Sequence, residues 1–204
     1  MTRYDLVAFV SISLIAACNG KSNEGDAAVD TACEPDVSDV ACDLDYPAGP
    51  YGTGVGEIVR NHELALAPCG TISMLDLFCD PDAKVLLVFG TAGWCTACIP
   101  ESDALPGLYA DYHDQGLEIL ALVFEDASGN PATVTFAGGY ADHYGFTFPT
   151  AEDADKQIGE YFDTSQAPLN MFVNLETMEI LEKSTGYEAA PFRTAIETHL
   201  ASVP

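Results

Sequence analysis

The stretch Val85-Leu86-Leu87-Val88-Phe89-Gly90-Thr91-Ala92-Gly93-Trp94-Cys95-Thr96-Ala97-Cys98 decides how this chain is read. Val85 to Phe89 form an unbroken apolar run, the pattern of a strand covered on both faces. Two thiols three residues apart follow at once, where that strand meets a helix expected from Cys95 to about Gln115, kinked at Pro106. A Cys in the first turn of a helix meets unpaired backbone N–H groups and the positive end of the macrodipole. Its thiolate is stabilised and its pKa falls below the free value of about 8.5. Cys95 is therefore the candidate nucleophile. Cys98, one turn further in, is placed to attack a mixed disulfide at Cys95 and release the partner reduced. Structural zinc would need four ligands, and no second C-x-x-C or spaced His pair follows. An inert disulfide is disfavoured because strand, Trp and helix start agree on a redox centre.

On the C-terminal side, Gly116 ends the helix and Leu117–Phe124 is a second buried strand. Asn130–Tyr144 has helical character despite Gly138-Gly139, Phe146–Thr150 is extended, and Asp155–Phe162 is expected to be helical. Leu169–Asn174 and Glu179–Ser184 read as a hairpin turning near Thr177. In the final helix, Pro191–Ala201, the residues Phe192, Ile196 and Leu200 repeat on one face and Pro191 suits the first position. On the N-terminal side, Ile58–Leu66 is a first strand region, and Thr71–Phe78 a short strand or helical turn. This order implies an α/β domain with a central mixed sheet and helices on both faces, preceded by an N-terminal extension. No internal repeat is visible.

The extension begins with an apolar run, Leu6–Ala17, too short for the roughly 20 residues of a spanning helix. Residues 1–17 are expected to be a secretory signal peptide. The ending Leu14-Ile15-Ala16-Ala17-Cys18 resembles a bacterial lipobox, which would make Cys18 a lipidated N-terminus; the alternatives are an ordinary cleavage site or a short anchor. Residues 18–54 read as an acidic tether poor in large apolar side chains, and 55–204 as the folded domain. The formal charge of −25 excludes nucleic acid as a partner and leaves lipid, rather than a basic patch, to attach the chain to a membrane. No calcium loop is present. Seven cysteines in an exported chain fit an oxidising compartment. With Cys18 lipidated and Cys95/Cys98 active, Cys33, Cys42, Cys69 and Cys79 remain. They allow three pairings, of which the local ones, Cys33–Cys42 and Cys69–Cys79, are expected.

These residues resemble the thioredoxin superfamily over about 55–202 and, within it, the membrane-tethered TlpA/ResA-like thiol-disulfide oxidoreductases of the redoxin (AhpC/TSA) type. The W-C-x-x-C at Trp94–Cys98 is the most specific element, and Glu101 extends it to C-x-x-C-x-x-E. Phe146-Thr147-Phe148-Pro149-Thr150 with Asp153, Ala167-Pro168 ahead of Leu169–Val173, and Gly186 also match. The resemblance implies a thioredoxin fold and a cis proline at Pro168 facing the redox pair. It also implies that Ala167 and Pro168 offer backbone to a substrate peptide, that Trp94 shields the disulfide, and that Glu101 takes the proton when Cys98 attacks. The sequence departs at Phe89 and Gly90, where a polar residue and an aromatic one are common, so the strand carries no buried acid. The Thr96-Ala97 dipeptide also lacks the commoner proline.

The resemblance implies no cofactor. His62, His113, His143 and His199 have no metal spacing, and only His143 would suit a copper-delivery relative of the fold, whose cysteines are spaced differently. A lone peroxidatic Cys with its preceding Pro and Thr is absent, which argues against a peroxiredoxin. The expected protein is an envelope enzyme that exchanges disulfides with exported Cys-containing proteins and is served by an envelope electron donor. A copper-binding assembly factor and a redox-inert interaction module of the same fold are the alternatives. A carboxylate at Glu101 and the net charge both disfavour a thiolate, which points to a reductant.

Overall fold

The apolar run around Val88 becomes strand β3 (Val85–Ala92), buried along its whole length. In this computed structural model, which describes residue 42 and residues 44–204, β3 lies between β4 (Leu117–Glu125), parallel to it, and β6 (Leu169–Asn174), antiparallel. β1 (Glu63–Leu66), β2 (Thr71–Ser73), β5 (Thr150–Glu152) and β7 (Ile180–Thr185) complete a seven-stranded mixed sheet of order β2-β1-β5-β4-β3-β6-β7. The expected signal peptide, Cys18, Cys33 and most of the 18–54 stretch lie outside the described residues.

Side chains on β3 alternate between two cores, as the two-residue period of a strand requires. Val85, Leu87 and Phe89 pack with Leu105 and Leu108 of α2 (Ile99–Tyr112) and with Phe192 and Ile196 of α4 (Ala189–Ser202). Leu86 and Val88 pack on the opposite face with Met74 and Leu77 of α1 (Met74–Phe78) and with Ile158 and Tyr161. Each fully buried aliphatic side chain contributes about 1.5–3 kcal/mol. A third cluster joins Val123 of β4 to Ala137 of α3 (Val134–Tyr144). Helices thus cover both faces.

Two helices differ from expectation, and a carboxylate explains each. Asp126 accepts the backbone N–H groups of Ser128 and Asn130 at 2.8 and 2.9 Å, folding residues 126–130 into a turn. The helix expected from Asn130 therefore begins only at Val134, where the Thr133 hydroxyl caps the N–H of Phe136. Over 155–162, Asp153 takes the N–H groups of Gln157 and Ile158, Lys156 has a positive φ, and only a 3-10 turn forms at Ile158–Tyr161.

The cysteine pairing is crossed rather than local. Cys42 is bonded to Cys79 at the end of α1, and Cys69 is also disulfide-bonded but not to Cys79, so neither Cys33–Cys42 nor Cys69–Cys79 forms. Packing of the chain ahead of Val55 supplies the reason. The Tyr46 hydroxyl donates to the Val59 carbonyl at 2.8 Å, and its ring meets Phe78 edge-on at 5.8 Å, which brings residue 42 to the last turn of α1. Cys69, by contrast, sits in the turn between β1 and β2, whereas α1 starts from the other end of β2.

Candidate active site

β3 delivers the redox loop, and a close backbone approach sets its path. A Cβ on Gly93 would stand 2.6 Å from the Ala127 nitrogen and the Phe136 ring, so only glycine lets the chain pass the loop after β4. The Gly93 N–H donates to the Glu125 carbonyl at 2.9 Å, and the Cys95 N–H to the Ala92 carbonyl at 3.0 Å. Cys95 then caps a 3-10 turn, Thr96–Cys98, that runs directly into α2, which continues through Pro106. Cys95 and Cys98 form a disulfide with Cα atoms 5.3 Å apart. Cys95 retains 6 % exposure and Cys98 none. The outer sulfur is thus the one at the start of the helix.

Trp94 stands beside the pair, 39 % exposed, with its indole N–H donating to Glu125 Oε2 at 2.6 Å. The other oxygen of Glu125 accepts from Lys156 at 2.6 Å. These two hydrogen bonds, the Lys156 one first, hold the Glu125 carboxyl below its ordinary range, so the indole faces a fixed anion. Ile99 is exposed next to the disulfide and extends the apolar rim.

Glu101, one turn beyond Cys98, is fully buried. Burial pushes its pKa up to about 8, against a lowering by the hydrogen bond from Asn170 Nδ2 to Oε2 at 3.3 Å. The carboxylate charge expected there is therefore withheld at neutral pH. Glu101 also supplies, from the helix, the buried acid missing from β3. Asn170 lies on β6 opposite Phe89 and donates in addition to the Gly186 carbonyl at 3.3 Å. Gly186 in turn donates to the Pro168 carbonyl at 3.1 Å, which ties the end of β7 to the Ala167–Pro168 peptide. That peptide is cis, Pro168 is buried, and Ala167 and Leu169 share one apolar cluster with Cys95 and Cys98. Tyr187 closes this side; burial and then Glu101 raise its pKa.

Of the residues singled out in the sequence, Trp94, Cys95, Cys98, Glu101, Ala167 and Pro168 fall around one disulfide. Cys42, Cys69 and Cys79 lie apart, in the disulfides already described. His143 lines an open groove on α3 that reaches Gly93, together with Phe136, Tyr140 and Tyr144. Among the described residues, no group of three or more His, Cys, Asp or Glu is placed to hold a metal ion. Three residues of this neighbourhood escaped the sequence reading. Glu125 and Asn170 carried a signal, each being a polar residue in or at the end of an apolar strand. Tyr140 carried none: its hydroxyl bonds Thr91 at 3.0 Å and Ser102 at 2.8 Å, and so locks α3 to β3 and α2.

A buried strand ending in a disulfide at a helix start, facing a cis proline across an antiparallel neighbour, defines a thioredoxin-type redox domain. The chain belongs to the AhpC/TSA family, whose model matches residues 55–185. It is similar to the thiol-disulfide oxidoreductase ResA of Oceanobacillus iheyensis, 26% identical over 114 residues, which cover 55% of this chain and 54% of that protein. ResA of Bacillus subtilis is 26% identical over 83 residues, 41% of this chain and 43% of the relative. The chain thus spans about half the length of these curated relatives. A solved Chlorobium tepidum protein, provisionally assigned as the thiol:disulfide interchange protein DsbE, shares the fold with a TM-score of 0.59 at 16% identity, covering 74% of this chain and 98% of that one.

Proposed function

We propose that this chain is a thiol-disulfide oxidoreductase of the bacterial cell envelope, lipid-anchored through Cys18 and facing the periplasm, that reduces disulfides in exported Cys-containing proteins and is re-reduced by an envelope electron donor. One observation carries the exchange reading. The disulfide joins a sulfur at the solvent edge of a helix start, Cys95, to a wholly buried one, Cys98, with an acid one turn behind. In that arrangement the Cys95 thiolate attacks a substrate disulfide and expels one substrate thiolate. Cys98 gives its proton to Glu101, attacks the Cys95 sulfur and releases the second substrate thiolate. Extended substrate backbone lies against Ala167 and Pro168, and Trp94 covers the pair.

The reducing direction rests on charge. In the disulfide form Glu101 is neutral at neutral pH, whereas in the dithiol form it is ionised and ready to take the Cys98 proton; that buried charge and the net charge of −25 both disfavour the dithiol form. Envelope location and lipid anchoring rest on the leader and lipobox resemblance. No helix among the described residues is long and apolar enough to cross a membrane.

The test is trapping in a periplasmic extract. Cys98→Ser accumulates mixed disulfides through Cys95, and Cys95→Ser accumulates none; equal trapping by the two variants overturns the assignment of roles. Trp94, the only Trp, reports the redox state by fluorescence in a glutathione titration. The expected midpoint lies nearer the roughly −270 mV of thioredoxin than the roughly −120 mV of a dedicated oxidant, and a value above roughly −180 mV reverses the direction.

A further inference from the structure

Asn170 is the polar interruption of Leu169–Val173 on β6, and none of its surface reaches solvent. Its amide nitrogen has two N–H groups, and both have partners: Glu101 Oε2 at 3.3 Å and the Gly186 carbonyl at 3.3 Å. A backbone carbonyl only accepts, so the contact with Gly186 fixes which end of the amide is nitrogen. Asn170 Oδ1 is then left with no partner, and so is Glu101 Oε1, both fully buried. The two orphan acceptors belong to side chains already joined by one hydrogen bond. One proton on the Glu101 carboxyl would supply the donor that these two acceptors lack, and in a cyclic acid–amide pair a single O–H serves both.

We propose that Asn170 is a positioning residue that holds Glu101 as a neutral acid in the disulfide form, so that the Glu101–Asn170 pair stores the proton exchanged with Cys98. This deepens the exchange reading and rests on it for the use of the proton. When one thiolate of a dithiol electron donor attacks the Cys95 sulfur, the Cys95–Cys98 bond breaks, and Cys98 leaves as a thiolate and takes the Glu101 proton; the donor's second thiolate then attacks the donor sulfur of the mixed disulfide, releasing Cys95 as a thiolate and the donor as a disulfide. When the substrate disulfide is later reduced, Cys98 returns that proton to Glu101 as it attacks the mixed disulfide, and the two substrate thiolates are protonated by solvent. The protein disulfide gains two electrons in the first half and gives them to the substrate disulfide in the second. A proton held one helical turn from its acceptor, with both groups fully buried, avoids a slow delivery from bulk. The store differs from an ordinary first-turn carboxylate in needing a partner on another element, and β6 supplies it.

Infrared spectroscopy of the oxidised full chain tests this directly, because a protonated carboxylic acid absorbs apart from a carboxylate. At neutral pH the wild-type disulfide form is expected to show an acid C=O band that Glu101→Gln removes. In Asn170→Leu, and in Asn170→Ser should the Leu variant fail to fold, the band moves to higher frequency because the C=O loses its N–H donor, and resolution of the Cys95 mixed disulfide slows several-fold. A wild-type spectrum with carboxylate only, or a band unmoved in the folded Asn170 variant, overturns the pair. A protein that shows the band and its Asn170-dependent shift yet traps nothing through Cys95 keeps the pair and loses the exchange reading. One that exchanges disulfides without the band loses the pair alone.

Discussion

Glu101→Gln keeps the shape of the side chain and removes its ionisation, and its effect on stability is set by where the carboxyl sits. The group has a pKa of 4.5 when freely exposed and about 8 when folded into the space behind Cys98. Because the folded value is the higher one, the native state holds a proton that the unfolded chain has lost between those limits. Stability therefore falls as pH rises through this window and is insensitive to the group below it and above it. Integrating the linkage from about pH 5 to about pH 8 gives a loss of about 3–4 kcal/mol in the wild type that the Gln variant does not share. The assay is urea unfolding of the oxidised protein at several pH values, plotted as variant minus wild type. Asp153, another buried acid with a raised pKa of about 6, titrates in both proteins and cancels. The difference should widen steadily in favour of the variant toward pH 8. Parallel curves, constant within about 0.5 kcal/mol, would show that Glu101 ionises in the fold as it does in water and refute the burial argument.

Changing Cys42 and Cys79 together to Ala opens a loop of sequence separation 37, which costs at most about 4 kcal/mol on the loop-closure scale because the Cys69 disulfide still constrains part of it. The variant's thermal midpoint should drop while Cys95–Cys98 exchange at low temperature persists, and a non-reducing peptide map of the unmutated chain that returns Cys69–Cys79 would contradict the crossed pairing. Glu125→Gln takes the anion from both Lys156 and the indole N–H, at a cost of about 1 kcal/mol given the partial exposure of the ion pair. Trp94 emission in the oxidised protein should shift to the red, and an unchanged spectrum would show that Glu125 does not hold the ring.

The sheet was legible wherever burial on both faces wrote itself as an apolar run, as in Val85–Phe89, Leu117–Phe124 and Leu169–Val173. The redox loop was legible because Trp94, Cys95 and Cys98 follow directly on such a run. What escaped depends on side chains meeting across the fold. Asp153 dismantled an expected helix by capturing two amides of the next segment, a contact that helical periodicity does not encode. The cysteine pairing turned on Tyr46 docking against Val59 and Phe78, whereas loop length alone favoured neighbours in sequence. The charge of Glu101 depended on the depth of its burial, which an acidic residue at the third position of a helix does not reveal; such a residue is ordinarily solvated. Asn170 signalled itself only as a polar residue in an apolar strand; its two partners, Glu101 and Gly186, lie on other elements.

The Cys42–Cys79 bond also determines how the domain meets mechanical force. Force applied at residue 42 passes through this covalent link to the last turn of α1, bypassing the hydrogen bond of Tyr46 and the weak bridge between Tyr51 and Ile58. α1 packs on the face of the sheet that carries Leu86 and Val88, while the redox helix packs on the face that carries Leu87 and Phe89. Force carried by the Cys42–Cys79 link therefore enters on the face of the sheet away from the Cys95–Cys98 disulfide, and does not act directly on the helix that holds it.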